Sequence, residues 1–545
     1  MQISIFDGTE PFKIIKPIRL ITLFSGYDSQ ALSLKYLGIP FEHYHTCEWA
    51  IPSIQALKDL HFDNDNSDYS VCLSKAELVD ILYEKGVSSD YNKPLTKKQL
   101  SRYPETKLRT IFNNIIATKN LVSICNINGK DLEICNTDKY EYIMTYSFPC
   151  QDLSSAGKGA GMAKGSGTRS GLLWEVERLL DGCEELPQVL LMENVPEVIG
   201  TNNIKHFAEW VAFLDSIGYR SKWGLLNAKD FGIAQNRNRC FMVSVLGDYY
   251  YDMPTGFKLE HVLKDFLDKQ VDESYYLKDC TIKALNEHKE RHEAQGNGFG
   301  WKPSNGVGIA HTIKTEGGYR PQSNFIIEQS NDKCKQVGML VGGKWDKMHD
   351  IAKRAYSADG LSPTLHTCGG GNLEPKILEE PIAYDEQNGY LRKDGIVVTL
   401  TTDGSSPKHN NRIVEPPERF FKQALDTAKS NECEVGDTID AFNGKINKSG
   451  ISPTITTRPE GFKTAILPID QQYRVRKLTE RECFKLMGVK QEDFEKIREN
   501  QSKSSCYHLA GDSIVTTVLM AIFGQMFDID WKAKINELAE ELTND

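Results

Sequence analysis

Between Ile18 and about Leu246, short apolar runs alternate with stretches whose apolar residues recur at helical spacing. RLITLF, FEHYHTCEW, EYIMTYSF, PQVLLMENV and RNRCFMVSV are short and β-prone, and predict strands. YDSQALSLKYLG, LLWEVERLLDG and IKHFAEWVAFLDSIG predict amphipathic helices between them. Strands separated by helices specify an α/β fold with a doubly wound, mostly parallel sheet, which takes ligands at the carboxyl ends of its strands. Two charged helical stretches, KAELVDILYEKG and KKQLSRYPETKLRTIFNNIIATK, interrupt the alternation from about 64 to 119 and read as a helical insertion.

The texture then changes to Gly, Thr, Pro and short β-prone runs, and an internal repeat emerges. GVGIAHTIKTEGG begins at Gly306, GLSPTLHTCGGG at Gly360, GIVVTLTTDGSS at Gly395 and GISPTITTRPEG at Gly450. Each reads as glycine, an apolar residue, a Thr-rich strand and a Gly-containing turn: either four hairpins of a β-domain or four loops on one binding face. A helical pattern returns at KLTERECFKLMG and SIVTTVLMAIFGQMF. The expected organisation is a sheet domain over 1–250, a smaller β-rich region over 251–470, and a segment over 471–545 that rejoins the first.

Composition narrows the class. With 40% hydrophobic and 26% charged residues in 545, the chain has the balance of a globular protein with more than one domain. No apolar run is expected to approach the roughly 20 residues of a membrane helix, and no secretory leader is recognisable, so a cytoplasmic protein is expected. The 13 cysteines include no Cys-x-x-Cys pair, which argues against a disulfide framework or a structural zinc. A net charge of -10 disfavours whole-surface binding of a polyanion but leaves room for a local basic cleft.

The strand ends carry the chemistry. In TYSFPCQDLS an apolar run stops on Pro149, Cys150 and Gln151, and the cysteine could be a core filler, a metal ligand, half a disulfide or a nucleophile. LFSGYDS follows the first strand and opens a helix, with Gly26 where backbone can approach a cofactor. Glu48, about 20 residues on, stands where an acid takes ribose hydroxyls, and Trp49 beside it could stack on an adenine or simply pack. Glu193 and Asn194 end PQVLLMENV, and Gln235, Arg237 and Arg239 precede FMVSV. Charges beside strands are costly to bury without a purpose.

In the order FSG, E-W, S-F-P-C-Q, E-N-V, Q-x-R-x-R, R-x-L-T-x-R-E-x-x-x-L-M-G and G-D-S, the chain resembles the C5-cytosine DNA methyltransferases of bacterial or phage type. The resemblance implies a Rossmann-like catalytic domain using S-adenosylmethionine, with a target-recognition domain where the repeats lie. It assigns Phe24, Gly26, Glu48, Trp49, Pro149, Leu172 and Ser513 to the cofactor. Ser123 falls where the family has an adenine-contacting Asp, Asp512 where it has the Asn of G-N-S, and Ala234 where a proline is common. It implies Cys150 as the nucleophile on C6, its thiolate favoured by Arg239, and Glu193 as the partner of N3. Arg239 would hold the base O2, Arg237 would orient a loop or a phosphate, and Asn194 would brace a loop. Such chemistry needs a flipped-out base.

The glycine-rich stretch after Cys150 suits a closing loop, in which Lys158, Lys164 and Arg169 would meet phosphates. In the repeats, Thr364, His366, Thr454, Thr456 and Arg458 are the candidates for base contacts. Double-stranded DNA is the expected partner, and the protein a monomer without metal or membrane. A nicotinamide oxidoreductase would leave Pro-Cys-Gln and Glu-Asn-Val without a task. An RNA cytosine methyltransferase on the same scaffold is the nearer rival, and the length of the repeat region favours duplex DNA.

Overall fold

The computed structural model describes residues 10–153, 161–294, 304, 308–313, 324–329 and 473–544, with isolated short strands between 336 and 466. The chain divides into two units, one of Met1–Ile327 with Val475–Asp545 and the other of Glu328–Arg474.

Six strands form the central sheet of the first unit: β1 Ile18–Leu23, β2 Phe41–Cys47, β3 Glu141–Tyr146, β4 Val189–Asn194, β5 Tyr219–Asn227 and β6 Asn238–Leu246. Their order is β2-β1-β3-β4-β6-β5. The first four are parallel, and β6 runs antiparallel to both β4 and β5. β5 is the strand that periodicity overlooked: it lies at the sheet edge, half-exposed, and its sequence YRSKWGLLN lacks an apolar run. The short link from β5 to β6 cannot house a crossover helix, so the two pair as a hairpin and reverse the last strand.

The central strands β3 and β4 are buried at every position because both faces of the sheet are covered there. Alternate residues of β4 face opposite cores, Val189 and Leu191 to one, Leu190 and Met192 to the other. Asp28 caps α1 (Ser29–Leu37) by accepting from Ala31 N at 3.1 Å, and Gly38, at φ +73°, ends it. Helices α2 (Ile51–His61), α3 (Lys75–Lys85), α4 (Lys97–Ser101) and α5 (Glu105–Ala117) follow β2. The last three are the insertion, and Leu78, Leu82, Leu100, Leu108 and Ile111 give it a core of its own, shared with Ile54 of α2.

Helices α6 (Leu173–Asp181) and α7 (Ile204–Ser216) line the other face of the sheet. Farther on come α8 (Asp279–Ala294), α9 (Glu480–Lys485), α10 (Gln491–Glu499), α11 (Lys503–Asp512), α12 (Thr516–Met526) and α13 (Trp531–Asn544). Lys503–Met526, 24 residues together, is long and apolar enough to cross a membrane by length and composition, which corrects the expectation that no run approaches that length. A break at Ser513 divides it, and 83% of its most apolar window is buried inside the protein, where α12 is a core helix.

Among the described residues of the second unit are three three-stranded sheets. They comprise Gln336–Met339, Arg354–Ser357 and Lys376–Leu378; Ala383–Asp385, Tyr390–Arg392 and Asn411–Ile413; and Thr438–Asp440, Lys445–Asn447 and Ala465–Ile466. In the last two, the first strand lies in the middle, antiparallel to both others. The repeats beginning at Gly360, Gly395 and Gly450 each fall between the second and third strand of one sheet, outside the described residues. The repeat beginning at Gly306 stands apart, because its Ala310–His311 pairs with Gln235–Asn236 in the first unit.

Candidate active site

At the carboxyl ends of β1 to β4 a cavity of about 350 Å³ opens. Phe24, Gly26, Glu48, Trp49, Ser123, Pro149, Leu172 and Ser513 line it, and so do Cys150, Glu193, Arg237 and Arg239.

Glu48 is fixed from several sides. Its carboxylate accepts from Gly26 N at 2.9 Å and Ala50 N at 2.7 Å. Asn120 Oδ1 accepts from Glu48 N at 3.0 Å while Asn120 Nδ2 donates to Glu48 O at 2.9 Å. Gly26 adopts φ +57°, where a side chain would be strained. Burial pushes the Glu48 carboxyl up to about 7, the backbone donors opposing and the charge of Asp512 adding to it. Trp49 both lines the cavity and packs, half-buried, on the core of the insertion.

The described start of the loop after β3, 147–153, is pinned by side-chain hydrogen bonds. Asn194 Nδ2 donates to Phe148 O at 2.9 Å, and Ser170 Oγ donates to Pro149 O at 2.7 Å. Asp152 Oδ2 accepts from Arg169 N at 2.8 Å. Cys150, half-buried, therefore stands at a fixed point of the wall.

The antiparallel last strand supplies its neighbours. Glu193 on β4 is paired with Phe241 on β6, and Arg239, two residues earlier on the same face, reaches back to it. Arg239 Nε lies 3.1 Å from Glu193 Oε1. Burial raises the Glu193 carboxyl above its ordinary value, against the pull of Arg239. Burial also raises the Cys150 thiol, Glu193 adding and Arg239 opposing, so the net push in the free protein is toward the thiol. The expected thiolate-favouring effect of Arg239 is present but outweighed.

Arg237 is a clip. Its Nη1 donates to Ile313 O at 3.1 Å, and its Nη2 to Gly511 O at 3.0 Å and Ser513 O at 2.7 Å. Gln235 Nε2 donates to Leu486 O at 2.6 Å, and its Oε1 accepts from Ile313 N at 3.0 Å. The Q-x-R-x-R strand thereby ties the first repeat and the C-terminal segment to the cavity. Burial lowers Arg237 to about 9, with the charge of Arg239 contributing.

Of the three cations after Cys150, Lys158 lies outside the described residues, as do Thr364, His366, Thr454, Thr456 and Arg458. Lys164 pairs with Glu177 Oε1 at 2.7 Å and does not line the cavity. Arg169 does line it, with its guanidinium donating to Gln151 Oε1 and, at 2.8 Å, to Asn92 Oδ1. Sequence reasoning missed Asn120, Tyr91, Asn92 and His508. Asn120 lies in no motif, and the other three come from an insertion turn and a C-terminal helix that only folding brings to β2.

Residues 100–528 match the family model for C-5 cytosine-specific DNA methylase. The orphan methyltransferase M.SssI of Spiroplasma monobiae is 36% identical over 281 residues, 50% of this chain and 71% of that protein. The type II methyltransferase M2.ScrFI of Lactococcus lactis subsp. cremoris is 32% identical over 267 residues, covering 49% and 71%. The orphan methyltransferase M.SPBetaI of Bacillus phage SPbeta is 24% identical over 544 residues, covering 93% and 97%.

Proposed function

Because the chain belongs to the C-5 cytosine-specific DNA methylase family, we propose that it methylates C5 of a flipped-out cytosine within a specific duplex DNA sequence, through a covalent bond from Cys150 to C6. The observation that carries this reading is that one cavity is lined both by residues assigned to the cofactor, Phe24, Gly26, Glu48 and Trp49 among them, and by Cys150, Glu193 and Arg239. The wall fits S-adenosylmethionine. Phe24 and Trp49 offer aromatic surface, and the buried Glu48 carboxylate is a desolvated acceptor suited to ribose hydroxyls. When bound there, S-adenosylmethionine would supply an electrophilic methyl group on a positively charged sulfur, the sulfur–methyl bond breaking to leave neutral S-adenosylhomocysteine.

Cytosine C5 is a poor nucleophile until a thiolate adds to C6. Cys150 Sγ forms that bond, and the electron pair of the C5–C6 double bond shifts to C5, which takes the methyl group. Glu193, its carboxyl raised by burial, delivers a proton to N3 and offsets the charge that builds on the ring. A protonated Glu193 also removes the negative neighbour that adds to the effect of burial in raising the Cys150 thiol. Arg239 binds O2 of the base, releasing its hold on Glu193. Arg237, with its donors turned to backbone carbonyls, positions the Ser513 segment. Loss of the C5 proton to a base then returns its electron pair to the ring and expels Cys150 as the thiolate, and N3 gives its proton back to Glu193.

Phosphates are met by Lys158, and by Lys164 and Arg169 once they give up their partners Glu177, Gln151 and Asn92. Base contacts are assigned to Thr364, His366, Thr454, Thr456 and Arg458. Methyl transfer from labelled S-adenosylmethionine to duplex DNA and to tRNA, measured side by side and mapped by sequencing, tests the reading. Transfer to C5 at one short DNA sequence is expected. Transfer to tRNA alone overturns it.

A further inference from the structure

The turn 88–93, which links α3 to α4 inside the insertion, has no part in the reaction as derived above, yet it reaches the cavity. It is anchored at the carboxyl end of β2, where Ser88 N donates to Trp49 O and Ile51 N to Ser88 O, both at 2.8 Å. Asp90 Oδ1 tightens it by accepting from Asn92 N at 3.0 Å. Tyr91 is held at φ 60°, a left-handed conformation that bulky residues avoid. Its ring stacks on His508 of α11, with centroids 3.8 Å apart and planes 12° from parallel.

Beside it, Asn92 Oδ1 accepts from Arg169 Nη2 at 2.8 Å, and the other arm of that guanidinium donates to Gln151, the neighbour of Cys150. Tyr91, Asn92, Gln151, Arg169 and His508 all line the cavity. The insertion turn, the nucleophile's loop and the C-terminal helix are thus joined over one space by a ring stack and a guanidinium bridge.

We propose that Tyr91 and Asn92 belong to the cofactor site and, with His508 and Arg169, form a clasp that retains bound S-adenosylmethionine. This rests on the reading that the cavity takes that cofactor. The insertion then has a task, because it supplies the cover for a pocket whose floor the motif residues build. A charge-assisted hydrogen bond between two side chains at this exposed position adds little to the fold, but in this reading it opens each time the ligand leaves.

The test is calorimetric binding of S-adenosylmethionine and S-adenosylhomocysteine to the full chain without DNA, for wild type, Asn92→Ala, Arg169→Ala and the double variant. Each single change should weaken binding by roughly five- to tenfold, as expected for loss of a partly solvated charge-assisted hydrogen bond. The double variant should fall short of the sum of the singles, since both lose the Asn92–Arg169 bond while Arg169→Ala also loses the bond to Gln151. Tyr91→Leu should weaken binding as well. Should that variant misfold, Asn92→Ala still decides, because Asn92 is exposed and its loss leaves the core untouched. Unchanged affinity in Asn92→Ala, or singles that add in the double, overturns the clasp. A wild-type protein that binds neither ligand brings down the reading of the cavity itself, and the clasp with it.

Discussion

Glu48 makes the stability of this protein depend on pH in a calculable way. Its carboxyl is raised from 4.5 to about 7, chiefly by burial. Between those values the folded protein holds a proton that the unfolded chain has released, so the folded state binds more protons and stability falls as pH rises. At about 1.4 kcal/mol per pK unit, the loss between pH 5 and pH 8 amounts to about 3 kcal/mol at most. Other buried groups titrate in the same window, Asp28 among them, also raised to about 7 by burial. The difference between wild type and Glu48→Gln isolates the contribution of Glu48.

Urea unfolding of both proteins from pH 5 to pH 8, without cofactor, should give a wild-type curve that falls more steeply with pH. Glu48→Gln should be relatively more stable at the alkaline end, less about 1 kcal/mol because an amide nitrogen replaces one acceptor opposite Gly26 N or Ala50 N. Ribose hydroxyls donate to the charged form, so wild-type affinity for S-adenosylmethionine should weaken as pH falls below about 7, while that of Glu48→Gln should stay flat. Parallel curves for the two proteins in both measurements would refute the argument.

Cys150→Ser should abolish turnover and leave cofactor binding intact, because a hydroxyl is a far weaker nucleophile; methyl transfer near the wild-type rate would sink the mechanism. Glu193→Gln should slow single-turnover transfer by about 10²- to 10⁴-fold while sparing DNA binding, since an amide hydrogen-bonds but has no proton to give. An unchanged rate across a pH series removes Glu193 from that role. Arg458→Ala should relax preference at one base pair by about 1–3 kcal/mol, read from methylation rates on single-substituted duplexes. A uniform loss over all duplexes, with a shallower salt dependence, would make Arg458 a phosphate contact instead.

The sequence alone determined the strands that carry chemistry and the residues at their ends, because a buried parallel strand must be apolar and a polar group at its end then stands out. RLITLF, EYIMTYSF and PQVLLMENV led to Gly26, Cys150 and Glu193 in this way, and all three line one cavity. Tertiary structure alone decided the rest. The reversal of β6, set by a hairpin link and an edge strand with no apolar run, brings Arg239 onto Glu193. The balance that raises the Cys150 thiol depends on burial and on distances between charges, neither of which spacing along a chain records. Arg237, expected to orient a loop or a phosphate, turns its two terminal nitrogens to Ile313, Gly511 and Ser513, carbonyls far away in sequence. Tyr91 and Asn92 sit in an ordinary polar turn and reach the cavity because Ser88 pairs with Trp49 and Ile51. Periodicity reports which faces are buried, while partners across an insertion are fixed only when the chain closes on itself.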